Sequence, residues 1–162
     1  MWEQGLGSAS VTKYPSLLLM SKGGGAGKVM GVREARAALK RAKSQLERVQ
    51  VAWWDPPDPV EAVTWAFYAY ENAIVAVAEA KSIRWEKSHA AKARLAGQFV
   101  QQGILSTDVE DRLIELNDLR KDVAYGESGP ELEELDLEDL AIKLEEFLEE
   151  VEQVIDAVEE EK

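Results

Sequence analysis

The sequence predicts an all-α protein: an antiparallel bundle of four to five helices following a flexible, glycine-rich N-terminal leader. Three observations carry that prediction. Apolar residues recur at alternating spacings of three and four in several separate segments, the mark of a helix with one buried stripe. No segment longer than a few residues alternates with the period of two that a half-buried strand requires. Proline, glycine and capping residues punctuate the segments where helices should start and stop. At 162 residues and 46% apolar content the chain is one domain's worth of sequence and can bury a core. Residues 1–30 read as the leader and residues 31–162 as a single bundle domain.

Seven of the eleven glycines fall in residues 1–31, and Ser21 to Lys28 shows no apolar period to bury, so the leader should be flexible. Methionines at positions 1, 20 and 30 also allow a later translation start. Gly27-Lys28 hints at a phosphate loop, but Lys22 stands where that loop needs its first glycine and Val29 where it needs Ser or Thr.

The first helix is expected over roughly residues 32–50, with Ala35, Leu39, Ala42, Leu46 and Val49 as its stripe. The run Asp55 to Pro59 then breaks the chain. Asp58 as N-cap, Pro59 in the first turn and Glu61 behind it start a second helix running to about residue 84. Val63, Phe67, Tyr70, Ile74 and Val77 form its stripe; Trp65 and Tyr68 make it apolar around much of its circumference, which marks it as the central helix. A shorter helix follows over about 88–101 and stops at Gly103. Thr107 and Glu110 form a capping box for the fourth, which buries Val109, Leu113, Leu116 and Val123. The last helix, from about Leu137, repeats Leu140, Leu144, Phe147 or Leu148, Val151, Val154 or Ile155, and Val158.

Charge is distributed unevenly. The net −12 resolves into +6 over residues 1–50, −4 over 51–126 and −14 over 127–162. A nucleic-acid binder needs a basic footprint to neutralise phosphate, and the chain offers a modest one: Arg33, Arg36, Lys40, Arg41, Lys43 and Arg48 along the first helix. Such a run reads equally as a solvated helix face. The acids from Glu145 to Glu161 lie opposite the last helix's stripe, either as a solvated surface or as a dock for a basic partner. With no cysteine, disulfides and thiolate metal sites are unavailable, and a cytoplasmic setting is expected. Leu17 to Met20, the one apolar run near the start, is too short for a signal peptide or a membrane span.

Chemistry concentrates in Leu119-Arg120-Lys121-Asp122-Val123-Ala124-Tyr125-Gly126-Glu127. Arg120 lies at the edge of an apolar face, and Tyr125 follows five residues later, just before a helix-stopping glycine. The stretch resembles the signature of the HEPN family (higher eukaryotes and prokaryotes nucleotide-binding domains), an arginine followed after four to six residues by a histidine, with Tyr125 in the histidine's place. The resemblance extends to the small-and-aromatic second helix (Ala66-Phe67-Tyr68-Ala69-Tyr70-Glu71-Asn72-Ala73) and to the Lys87-Ser88-His89-Ala90-Ala91-Lys92 entry to the third, and covers roughly residues 32–155.

What the resemblance implies is a homodimer whose paired motifs line one cleft that cuts RNA without a metal, arginine holding phosphate and histidine moving the proton. Arg120 and Tyr125 are then the candidate catalytic residues, and Arg120 and Lys121 the candidate phosphate ligands. Residues five apart on a helix diverge by about 140°, which makes a composite cleft reasonable on geometry. A phenol titrates near 10, and loss of general acid–base help costs about 10²–10⁴-fold; ribonuclease activity should therefore be degenerate or weak. The family also implies a toxin–antitoxin or RNA-targeting defence module, with an antitoxin or a minimal nucleotidyltransferase as partner, for which a tyrosine near the motif can be the modified residue. The alternatives are a non-catalytic helical adaptor that docks a protein through its acidic C-terminal helix, and a structural Arg120 paired at the bundle rim beside a rim or interface Tyr125.

No metal and no cofactor are expected. Glu86-x-x-His89 has the spacing of a di-iron bundle, but the chain has one histidine and a di-iron centre needs two such pairs. Nor can a Ser-His-Asp or Cys-His nucleophile system be assembled. Trp53, Trp54, Trp65 and Trp85 read as packing at helix ends rather than stacking platforms, because Asp55 and Asp58 flank the first pair.

Overall fold

A computed structural model describes residues 24–54, 56–127 and 129–161, with side chains from residue 31 onward. Among the described residues there are six helices and no strand. They are α1 (Gly24–Ala52), α2 (Pro59–Ala80), α3 (His89–Gln101), α4 (Glu110–Ala124), α5 (Pro130–Glu133) and α6 (Leu137–Glu160). The α2 helix touches every other one, while α1 and α6 close one side of it and α3 and α4 the other.

Its central place follows from its composition. Fourteen of the 22 residues of α2 are buried, most of them Ala, Val, Ile or aromatic, so neighbours can pack on all sides without leaving polar groups dry. The expected stripes are buried in α1, from Ala35 to Val49, in α2, from Val63 to Val77, and in α6, from Leu140 to Val158. Phe147 and Leu148 are both buried, and Ile155 rather than Val154 completes the α6 stripe.

The α2 cap forms as expected, with Asp58 Oδ1 accepting the Glu61 N–H at 3.1 Å and proline in the first turn. Two boundaries differ from the sequence reading. The first helix begins at Gly24, not near residue 32. Gly31 is a packing residue: a Cβ there would stand 2.6 Å from the Glu79 carbonyl oxygen, so glycine lets α1 cross close to α2. Of the expected leader, residues 1–23 lie outside the described residues. The α2 helix stops at Ala80, where the Ile83 N–H turns back to the Ala78 carbonyl.

The Thr107–Glu110 capping box does not form. Val109 is the N-cap without a side-chain bond, Asp108 Oδ1 accepts the Glu110 N–H, and the Ser106 N–H and hydroxyl both donate to Glu150 on α6. Burial pushes the Glu150 carboxyl up, but the bonds from Ser106 and Thr107 together outweigh that and hold its pKa below the ordinary value. The one-turn α5 was not anticipated; its Leu132 is buried.

The basic footprint on α1 is partly spent within the fold. Arg36 Nη2 lies 2.6 Å from Asp156 and 2.5 Å from Glu159, and Lys43 Nζ 2.9 Å from Glu152. These contacts raise the Arg36 pKa, the Asp156 bond most. Arg48 lies over the Trp65 ring at 4.5 Å. No helix among the described residues is long and apolar enough to cross a membrane.

Candidate functional site

The α4 helix packs on α2 and α3 through Leu113 and Leu116, both buried, and through half-buried Leu119 and Val123. Arg120 falls four residues after Leu116 and three before Val123, so helix geometry delivers it to the inward face. Its guanidinium carbon lies 4.9 Å from the centre of the Phe67 ring and 5.7 Å from that of Tyr68, both on α2. Nη2 donates to Asn117 Oδ1 at 2.8 Å, while Nε is buried with no acceptor. No carboxylate among the described residues pairs with it. Arg120 is thus a partly desolvated cation held by two aromatic faces and one neutral amide, without a counter-charge.

One turn beyond Phe67, Glu71 is the only buried charged residue among those described, at 5% exposure. His89, the first residue of α3, brings Nδ1 to 2.7 Å from Glu71 Oε2, and Lys92 Nζ lies 3.5 Å from Oε1. A carboxylate only accepts, so this contact assigns the ring proton to Nδ1. The His89 ring meets the Phe67 ring edge-on at 5.1 Å, and its side chain is 42% exposed. Arg120 and His89, from different helices, therefore touch the same phenyl ring.

The cationic surface continues outward. Lys92 lies 5.7 Å from the centre of the Trp85 ring, and Arg84, Trp85, Arg94 and Gln98 line an adjoining cleft. The Trp85 indole N–H donates to Glu79 at 2.8 Å. Trp85 and Trp65 pack half-buried, but Trp54 stacks on Trp53 at 5.1 Å with 65% of its surface exposed, so packing at a helix end does not describe it.

Tyr125 is the C-cap of α4, its N–H donating to the Lys121 carbonyl while the Gly126 N–H donates to that of Val123, and it is 76% exposed. Gly126 follows at φ +73°, a conformation that favours glycine and ends the helix, with the Glu127 N–H closing on the Asp122 carbonyl. Within one chain Arg120 turns inward onto α2, whereas Tyr125 and Lys121 are exposed. The bundle brings Arg120 together with His89, Glu71 and Asn117, and does not bring it together with Tyr125.

Sequence reasoning missed Glu71 and Asn117 as site residues and treated His89 only as part of the entry to the third helix and as an incomplete metal ligand. A signal was available. Glu71 is the one charge between Glu61 and Glu79 in a helix apolar almost all round; an acid there must find a partner, and the chain's single histidine is a natural choice.

A scan against family models matches the HEPN domain model over residues 31–160, which takes in all of the site. No curated protein and no solved structure gives a significant match. The chain belongs to the HEPN domain family, whose members are helical nucleotide-binding and ribonuclease-like domains.

Proposed function

We propose that this is a cytoplasmic HEPN-domain protein of a toxin–antitoxin or RNA-targeting defence module, which binds RNA phosphate at Arg120 and has weak ribonuclease activity. The observation that carries the reading is the state of Arg120. Its guanidinium lies on Phe67 and Tyr68, its Nε lacks an acceptor, and a neutral amide is its only hydrogen-bond partner. A cation in that condition gains from a phosphate, and a guanidinium matches phosphate geometry. Tyr125 diverges from Arg120 on the helix, so it reaches a phosphate held there only from a second copy. A homodimer through the outer face of α4, where Ile114 and Tyr125 are exposed, supplies that arrangement.

The rival reading, an adaptor that docks through the acidic last helix, is weakened by where those acids go. Glu152, Asp156 and Glu159 are engaged with Lys43 and Arg36. The module assignment rests on the family and on the Arg120–Tyr125 motif, and an adjacent gene for a minimal nucleotidyltransferase would support it.

Fluorescence anisotropy with a labelled single-stranded RNA oligonucleotide tests the phosphate site. Arg120→Ala should weaken binding by about 1–3 kcal/mol, the scale of a charged hydrogen bond, with little change in melting temperature. Arg36→Ala, an arginine already paired, should leave affinity near the wild-type value. Equal losses from both would reduce binding to general electrostatics, and no loss from Arg120→Ala would refute the phosphate site.

A further inference from the structure

We propose that His89, which lies outside the motif, is the proton-transfer residue of this site: with Nδ1 held by the buried Glu71 carboxylate, its Nε2 takes the proton of the ribose 2′-hydroxyl beside a phosphate bound to Arg120. The proposal rests on the phosphate-binding reading of Arg120 and adds the group that Tyr125 fails to supply.

Three features of the structure support it. The first is shared support: His89 and Arg120 stand 5.1 and 4.9 Å from the centre of one phenyl ring, so a nucleotide held by the guanidinium lies within a nucleotide's span of the imidazole. The second is orientation. The 2.7 Å contact with Glu71 assigns the ring proton to Nδ1 and leaves Nε2 as the acceptor, and a base held by a buried carboxylate in one tautomer is the general logic of histidine-based proton transfer. The third is access. The His89 side chain is 42% exposed and Nε2 makes no bond among the described residues, whereas Lys92, the other partner of Glu71, is only 15% exposed and also faces Trp85.

The step balances without a co-reactant. Nε2 accepts the 2′-hydroxyl proton as the 2′-oxygen forms its bond to phosphorus, and the bond from phosphorus to the 5′-oxygen breaks. The departing 5′-oxygen takes a proton from water, and the hydroxide produced recovers the proton from His89. The products are a 2′,3′-cyclic phosphate and a 5′-hydroxyl. Arg120 offsets the charge that grows on the phosphate oxygens.

The test uses the full chain and random-sequence single-stranded RNA in excess EDTA, with product ends identified by mass spectrometry. Wild type should cleave to cyclic-phosphate ends and leave 2′-O-methyl RNA intact. His89→Asn places an amide donor near Nδ1 and so keeps the Glu71 contact; it should lower cleavage on the order of 10²–10⁴-fold while binding RNA like wild type. If that variant does not fold, the pair Glu71→Gln with His89→Asn, which leaves no buried charge, must show the same loss with binding retained. Cleavage at the wild-type rate by whichever of these folds, cleavage of 2′-O-methyl RNA, or no cleavage by wild type would overturn the role of His89. Those results would leave the phosphate site standing so long as Arg120→Ala still weakens binding, whereas wild-type binding by Arg120→Ala removes the phosphate site itself.

Discussion

Two groups of cations occupy opposite sides of α2 and meet opposite fates. On the α1–α6 side, Arg36 and Lys43 are bonded to Asp156, Glu159 and Glu152, so these two cations of a basic helix are neutralised by an acidic helix across a seam. On the α4 side a single arginine lies on two aromatic rings with no acid in reach. In the sequence the first group is conspicuous and the second is one residue. Positive charge marks a binding surface only where the fold leaves it without a counter-charge, and that depends on pairings over more than a hundred residues, such as Arg36 with Asp156. Surface pairs of this kind contribute about 0–1 kcal/mol each. Their larger consequence is to take Arg36 and Lys43 out of the basic footprint on α1, of which Arg33, Lys40 and Arg41 remain exposed.

The strongest way to break the contrast is to remove the ring on which the α4 side is built. Phe67 is 1% exposed and meets Arg120, His89 and Tyr68. Phe67→Ala should cost about 3–5 kcal/mol of stability, the range for deleting a buried aromatic, measured by urea denaturation. It should also weaken RNA binding, because the guanidinium loses its support. Phe67→Leu keeps much of the volume and loses the π face; it should recover most of the stability without recovering the affinity. If Phe67→Leu binds RNA as wild type does, the aromatic face does not hold Arg120 in its binding position.

A smaller effect sharpens the other side. Glu150 on α6 accepts from the Ser106 N–H and hydroxyl, and its pKa in the folded protein lies below the 4.5 of an ordinary glutamate. A depressed pKa contributes stability that is complete above 4.5 and is lost as the pH falls through the lower folded value. Because Glu150 is only partly buried, screening limits the contribution to about 1 kcal/mol or less. Glu150→Gln should therefore lower the melting temperature slightly at pH 7 and narrow its difference from wild type below pH 4. A difference that persists at pH 3 would assign the effect to packing rather than charge.

Most of the fold was legible, and the reason is local. Three-four stripes, the Asp58-Pro59 cap and the glycine after Tyr125 act within a few residues of chain, and the structure carries each of them. The parts that were not legible are set by contacts distant in sequence. Gly31 is needed where α1 meets the Glu79 carbonyl of α2, and in place of the Thr107–Glu110 box the neighbouring Ser106 bonds Glu150, 44 residues away. The candidate site divides the same way. Periodicity alone places Arg120 on the inner face of α4; the Glu71–His89 pair joins two helices across 18 residues, and its one local sign is the isolated charge of Glu71 in an apolar helix.

Tyr125 carries the smallest expected effect, and it separates the motif from the site. Its ring is 76% exposed at the end of α4 and makes no side-chain bond among the described residues. Tyr125→Phe removes the hydroxyl and keeps the ring, so RNA binding and cleavage should stay at wild-type levels. Tyr125→His adds a group suited to proton transfer near neutrality, but on an outward-facing position some 140° around the helix from Arg120. Within one chain it should therefore change nothing, and across a dimer it can approach the phosphate held by the other copy. Ile114, 47% exposed on the same outer face of α4, gives the control. If Tyr125→His raises cleavage, adding Ile114→Glu should abolish the gain and shift sedimentation toward the monomer, leaving the activity due to His89 intact. A gain that survives in a monomer would mean that Arg120 and position 125 do meet within a single bundle, and that the division drawn here between an inner site and an outer motif is wrong.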